Sequence, residues 1–253
     1  MVRTGLAGRR YAEARLRAAI ARGDVAPGQR LIEEELANRF AVTRSSLRQA
    51  IDALLADGLV ERVRNRGARV RRLSLAEAVE ITECRMALEG LLARKAAERA
   101  TDADVVGLGE QIEAMRGAVE DGDVVLYSAL IDHLYELVHQ AARHTNATAL
   151  VTRLQAQLVR HQFQLSLRPG RPRQSLRELS LVVEAISAHR PGTAERLAKV
   201  HLQGVVAALV AQPPDQAPDH QPHDQAPDQA HDQALEAHTA RTGPEQAERA
   251  RHG

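Results

Sequence analysis

Two short helical patterns separated only by Ala41 and Val42 constrain this 253-residue chain more than any other feature. The first runs from Ile32 to Phe40, with Leu36 and Phe40 on one stripe. The second runs from Thr43 to Ala56, with Leu47, Ile51 and Leu54 at core-facing spacing. Helices joined by so tight a turn cannot lie antiparallel and must cross steeply, which is helix-turn-helix geometry. The second helix is then free to enter a groove. Thr43 is placed to cap its start, because a hydroxyl there accepts from an otherwise unpaired backbone N–H. Its exposed side carries Ser45, Arg48 and Gln49, with Arg44 at the margin, and Thr43 and Ser46 complete the candidate contact set. Arginine pairs bidentately with guanine or with phosphate, and short hydroxyls allow close backbone approach, so the face suits double-stranded DNA. A merely solvated helix face is the competing reading.

The segment that follows favours DNA. Leu59 to Val63 alternates, Arg64-Asn65-Arg66-Gly67 is a charged turn, and Ala68 to Arg71 alternates again, as a β-hairpin does. Gly67 permits positive φ, and Asn65 and Arg66 at the tip are placed to reach a minor groove. An ordinary charged hairpin would have the same pattern.

Charge divides the chain. Residues 1–73 hold 16 arginines against 8 acids, a net of +8, whereas the whole chain is +1. A basic head on a more acidic body fits nucleic-acid attraction by the first part and another task for the second. From Leu75 to about Val210 the pattern is helical, with helices expected at 75–100, 102–120, 123–144, 146–167, 173–189 and 193–211, the first of them broken. The expected fold class is mainly α: an N-terminal winged helix-turn-helix over 1–73, an all-α antiparallel bundle over 74–211, and a low-complexity tail over 212–253. That tail repeats Asp-Gln-Ala with Pro and His, and such a composition does not bury enough surface to offset ordering entropy. His220, His223, His231 and His238 lie in it at irregular spacing, which argues for a solvated segment rather than a metal site.

Other features exclude function classes. No window approaches a membrane span and no signal-peptide core is visible, so a cytoplasmic protein is expected. Cys84 is the only cysteine and reads as a packing residue. Glu136-Leu137-Val138-His139 has no second Glu-x-x-His pair to face it, as a di-iron bundle requires. No phosphate loop, dinucleotide glycine pattern or nucleophile motif occurs, so an enzyme is not expected.

The run LIEEELANRFAVTRSSLRQAIDALLADGLVERVRNRGARV resembles the winged helix of GntR-type bacterial transcription regulators, over about Tyr11 to Arg72. The resemblance implies base and phosphate contacts at Arg44, Ser45, Arg48 and the wing tip around Gly67. Relatives often carry a basic residue in the helix before the turn, where this chain has Glu33, Glu34 and Glu35. The helical part resembles the FCD ligand-binding domain of the FadR-like group, through EITECRMALEGLLARKAAERAT, DHLYELVHQAARHTNATAL and AISAHRPGTAERLAKVHL. That likeness implies an interior pocket for a small metabolite, often a carboxylate. In many members it also implies a divalent metal held by one Asp or Asn and three His.

Aligned on these motifs, the family's ligand positions fall on His133, Leu137, Leu179 and His201. Leucine cannot ligate a metal, so no metal cofactor is expected. Arg85, in the family form E-x-R-x-x-L-E, is placed inward, with His133 and His201 as further pocket residues. A salt bridge to Glu89, one turn away, would equally account for Arg85. The resulting expectation is a repressor that binds a palindromic operator as a homodimer and responds to a small-molecule effector. The alternative is a DNA-binding architectural protein whose helical domain only dimerises.

Overall fold

The computed structural model describes residues 2–64 and 67–211; the tail expected over 212–253 lies outside the described residues, as do Asn65 and Arg66. The chain opens with α1 (Gly5–Arg22), followed by β1 (Arg30–Leu31), α2 (Glu33–Arg39) and α3 (Arg44–Ala56). The hairpin β2 (Val60–Val63) and β3 (Gly67–Val70) comes next. β3 is central, pairing antiparallel with β2 through Val60–Val70 and with β1 through Arg30–Arg69. Sequence reading had not anticipated α1 or β1. Ala12, Leu16, Ala19 and Ile20 of α1 are buried with Leu47, Ala50, Ile51 and Leu54 of α3, so α3 rests on a platform the chain makes before it. Thr43 caps α3, its hydroxyl accepting from Ser46 N at 3.1 Å. The turn before it passes through Ala41 at φ 50°, and the extended residue Arg3 clips that turn by donating from its N–H to Ala41 O (2.9 Å).

Among the described residues seven helices follow: α4 (Leu75–Arg99), α5 (Asp102–Glu120), α6 (Val124–Ala142), α7 (Thr145–Gln157), α8 (Val159–Ser166), α9 (Arg171–Ser187) and α10 (Pro191–Val210). The expected break in the first of these does not occur. α4 is continuous for 25 residues, because its interior is built from Ala, Leu, Glu and Arg, all good helix formers. Its one glycine, Gly90, lies under the Lys199 side chain of α10, whose Cε a Cβ there would meet at 2.7 Å and displace. The break falls instead at Leu158, inside the segment expected to run unbroken over 146–167. Leu158 N bonds back to Gln155 O at 2.9 Å, a tighter three-residue step that re-aims the chain. Leu158 is buried with Ala78, Ile81, Leu165 and Leu209, while the next residue, Val159, packs against the apolar core of the winged helix. Burial of two neighbouring apolar residues in two different cores dictates the kink. A larger core joins α4, α5, α6, α9 and α10 through Leu92, Leu108, Met115, Leu134, Leu179 and Ile186. Among the described residues, no helix is long and apolar enough to cross a membrane.

Candidate functional site

α3 presents Arg44, Ser45, Arg48 and Gln49 to solvent as one contiguous stripe, with Thr43 half-buried at its start. Ser46 does not belong to that stripe. It is 2% exposed, donating to Gly5 O and receiving a hydrogen bond from the Thr43 hydroxyl, so it braces α3 against α1 and cannot reach a duplex. The acids of α2 meet the arginines of α3. Arg48 donates from Nε (3.2 Å) and Nη2 (2.9 Å) to Glu33 Oε2, and Arg44 donates to Glu34. The arginines are therefore held in place across the turn rather than left to wander. At the wing, Gly67 has φ +79° and faces open space. A duplex laid along α3 would meet two oriented guanidinium groups, a serine and a glutamine.

Within the helical part, side chains from α4, α6, α8, α9 and α10 enclose a cavity of about 50 Å³, with Arg85, Tyr127, Asp132, Tyr135, Arg171 and His201 among its walls. Arg85 is 1% exposed, yet none of its Nε, Nη1 and Nη2 atoms makes a hydrogen bond. Its only close ionic neighbour is Glu89 Oε1, at 3.5 Å from Nη2, and its guanidinium lies 5.4 Å from the Tyr135 ring centroid. The inward arginine and the ion pair with Glu89 thus coexist. Glu89 is held from its other side, Oε2 lying 2.9 Å from His139 Nε2.

Arg171, also buried, pairs with Glu178, which lies 2.7 Å from His201 Nδ1. Burial pushes the Glu178 carboxyl up, but His201, Arg171 and Gln174 outweigh it and hold the group below its usual range. Burial holds the imidazole of His201 below its ordinary value, against the pull of Glu178. An ionised Glu178 can only accept, so a neutral His201 donates from Nδ1 and keeps Nε2 as an acceptor.

His133 is not part of the cavity wall. It sits half-buried on the α5 side of α6, its Nδ1 2.9 Å from Gln111 Oε1. Asp132 lines the cavity in its place, since neighbouring helix residues point about 100° apart. The same one-residue step moves the following position from Leu137, packed against the main core, to Glu136. Glu136 borders a wider outer cleft of about 720 Å³ that shares Asp132 and Gln162 with the inner cavity. Asp132 keeps an exposed edge toward that cleft, while its desolvated surroundings push its carboxyl up to about 6, against the opposing charge of Arg85.

Leu179 is 4% exposed and apolar, as its sequence position required. Of the metal-ligand positions that the family implies, the cavity wall thus brings together only Asp132 and His201. Two donors fall short of the three protein ligands of an ordinary open metal site, and the Arg85 charge in the same cavity opposes a cation. No group of three or more His, Cys, Asp or Glu able to hold a metal occurs among the described residues.

Two family profiles match in tandem: the gntR family of bacterial regulatory proteins over residues 9–70, and the FCD domain over residues 80–204. The chain belongs to the GntR family. Its FCD domain carries the cavity just described. Similar curated GntR regulators include the HTH-type transcriptional repressor RspR of Escherichia coli K12, 28% identical over 72% of this chain and 79% of RspR. The Glc operon transcriptional activator of the same organism is 26% identical over 68% of this chain and 77% of its own length. Among solved structures, E. coli McbR/YncC superposes with a TM-score of 0.72 at 19% identity, covering 81% of this chain and 98% of that one. A GntR regulator from Rhodococcus sp. RHA1 gives 0.64 at 20% identity, over 81% and 98%. These likenesses establish the fold, and the family makes the protein an HTH-type transcription regulator rather than an enzyme.

Tyr127, Tyr135 and Arg171 line the cavity without having been expected there, and Asp132, which the sequence admits only with a shifted helix register, lines it as well. Periodicity along α6 does put Tyr127, Ile131 and Tyr135 on one side, at four-residue spacing. That was the available signal.

Proposed function

We propose that this GntR protein is a homodimeric repressor whose affinity for a palindromic operator is altered by a small carboxylate seated on Arg85, without a resident metal. The observation that carries the effector is the buried Arg85 guanidinium, three nitrogens of which lack hydrogen bonds at the wall of a small cavity. Glu89 answers the charge of Arg85 at 3.5 Å, but the guanidinium N–H donors stay without hydrogen bonds, and a charge-assisted, bidentate carboxylate matches their geometry. Arg44, Ser45, Arg48 and Gln49 supply the groove contacts, and two-fold symmetry of the dimer calls for a two-fold site. The two named relatives act with opposite signs, one a repressor and one an activator; release of DNA by ligand is the sign proposed here.

Coupling runs through α8. Gln162, Leu165 and Ser166 line the cavity, while Val159 packs into the winged helix and α8 lies along α1. A ligand that repositions α8 repositions the platform under the recognition helix, with a coupling free energy of about 1–3 kcal/mol as the usual scale.

The test is operator binding by fluorescence anisotropy, on a duplex selected from a random pool, with and without a panel of short carboxylates. Metal content is measured on the same protein purified without a histidine tag. A carboxylate that weakens binding in metal-free protein and not in Arg85→Ala is the expected result. Stoichiometric metal, or a response that survives Arg85→Ala, would overturn the reading.

A further inference from the structure

Arg85 is not the sole buried group of this helix face that lacks a hydrogen bond among the described residues. Glu89 Oε1 is also buried without a hydrogen bond, on a side chain that is 3% exposed. Glu89 belongs to the wall of a second small cavity, of about 20 Å³, otherwise lined by Ala93, Leu134, Val138, Leu179, Val182 and neighbouring apolar groups. Tyr135, His201 and Leu202 line both cavities, so the two adjoin there. Three features therefore adjoin: guanidinium N–H groups without a hydrogen bond, a carboxylate oxygen held only by the 3.5 Å ion pair to Arg85, and an apolar recess that includes Leu179.

We propose that the effector is a short aliphatic 2-amino acid, its carboxylate on Arg85, its ammonium on Glu89 Oε1, and its side chain in the recess beside Leu179. This deepens the proposed carboxylate response and rests on it. A plain carboxylate would satisfy Arg85 and leave Glu89 Oε1 bare. A 2-hydroxy acid would satisfy both but bring a net negative charge into a site whose fixed charges already balance, Arg85 against Glu89 and Arg171 against Glu178. Asp132 on the rim adds a further acceptor rather than a cation to receive a second acid. A zwitterion adds no net charge, so burying it demands no unmatched ion, and its two poles are spaced as neighbouring groups on one carbon, as Arg85 and Glu89 are neighbours on one helix face.

Size sets the side chain. A water needs roughly 10–15 Å³ of such space, so a polar cavity of about 50 Å³ and a recess of about 20 Å³ admit a compact amino acid. The recess takes a side chain of roughly one or two heavy atoms as it stands, so alanine and 2-aminobutyrate head the range and valine tests its upper edge. An aromatic residue or a dicarboxylate is too large for the recess or wrongly charged for it.

The experiment is calorimetric titration of the full chain with three matched series on the same carbon skeletons: 2-amino acids, 2-hydroxy acids and unsubstituted acids. The expected result is binding of alanine, 2-aminobutyrate or valine at least tenfold tighter than the matched hydroxy and plain acids. Glu89→Gln should erase that preference. Val182→Ala, which enlarges the recess without touching either charge, should move the best ligand to a longer side chain and keeps the test open if Glu89→Gln fails to fold. Equal or tighter binding of hydroxy or plain acids overturns the amino-acid assignment and leaves the carboxylate response standing. Silence of all three series, in protein that binds its operator, overturns both.

Discussion

Glu33 and Arg48 are joined across the helix-turn-helix, one carboxylate oxygen receiving two hydrogen bonds from a guanidinium whose side chain is 66% exposed. An exposed pair of this kind contributes little to stability. Its effect lies in orientation and charge. Before contact with DNA the arginine is already extended along the groove-facing stripe, and its positive charge is partly answered.

Replacing Arg48 by alanine should weaken operator binding by about 1–3 kcal/mol, the usual discrimination of one arginine–guanine pair, or roughly 5- to 150-fold. Sedimentation should find the same oligomeric state as in the parent. Unchanged operator affinity would remove Arg48 from the reading face.

Glu33→Gln should act in the other direction. With the carboxylate gone, Arg48 is released to phosphates and repulsion of the backbone falls, so binding to random-sequence duplex should tighten while preference for the operator narrows. Salt titration tests this. The slope of log K against log salt should steepen by about 0.9 for one added phosphate contact. An unaltered slope with unaltered preference would mean that Glu33 is only a solvated acid.

Arg85→Met should abolish the effector response and destabilise the fold by about 3–5 kcal/mol, because breaking a buried ion pair leaves the partner charge uncompensated. The double substitution Arg85→Met with Glu89→Gln should recover most of that loss, since an apolar replacement of a buried pair is often neutral or stabilising. Urea denaturation of the three proteins decides. Equal midpoints for the single variant and the parent would contradict the burial of the pair.

Acid stability follows from His201 and Glu178. Burial depresses the His201 pKa below 6.5 in the fold. As pH falls through 6.5 the unfolded chain gains a proton there that the fold does not, and stability declines until the depressed value is passed. Glu178, lowered from 4.5, adds a second loss at more acidic pH, as the folded carboxylate is finally protonated. Asp132, raised to about 6, works oppositely, because the fold takes up its proton before the unfolded chain does. His201→Gln should therefore flatten the fall in melting temperature just below pH 6.5, and Asp132→Asn should steepen it. Thermal scans between pH 5 and 8 test both signs.

The exposed stripe of α3 was legible in sequence because it is local. Thr43, Arg44, Ser45, Arg48 and Gln49 fall within a single helix, and their side follows from the Leu47, Ile51 and Leu54 stripe. Ser46 was misplaced because its neighbour, α1, has an alanine-rich face with too little apolar contrast to be recognised as a helix that covers it. His133 and Leu137 were misplaced by one residue, which on a helix is a turn of about 100° and exchanges a cavity wall for a core face. The kink at Leu158 had no glycine or proline to announce it. It arises from two cores competing for adjacent side chains. The chain from His139 through Glu89 to Arg85 joins helices 50 residues apart, a juxtaposition that no local pattern encodes.

The position of α8 bears on how regulators of this kind can be recombined. Val159 is seated against the winged helix and Gln162, Leu165 and Ser166 in the cavity wall, so the boundary between the two parts in space does not coincide with the boundary along the chain, between the matched families at residues 70 and 80. A hybrid that exchanged residues 1–73 for those of a relative would keep both folds but seat Val159 against a foreign α1. Transplanting the head alone should yield a protein that binds DNA and ignores its ligand, unless the face of α1 beneath α8 is transplanted to match.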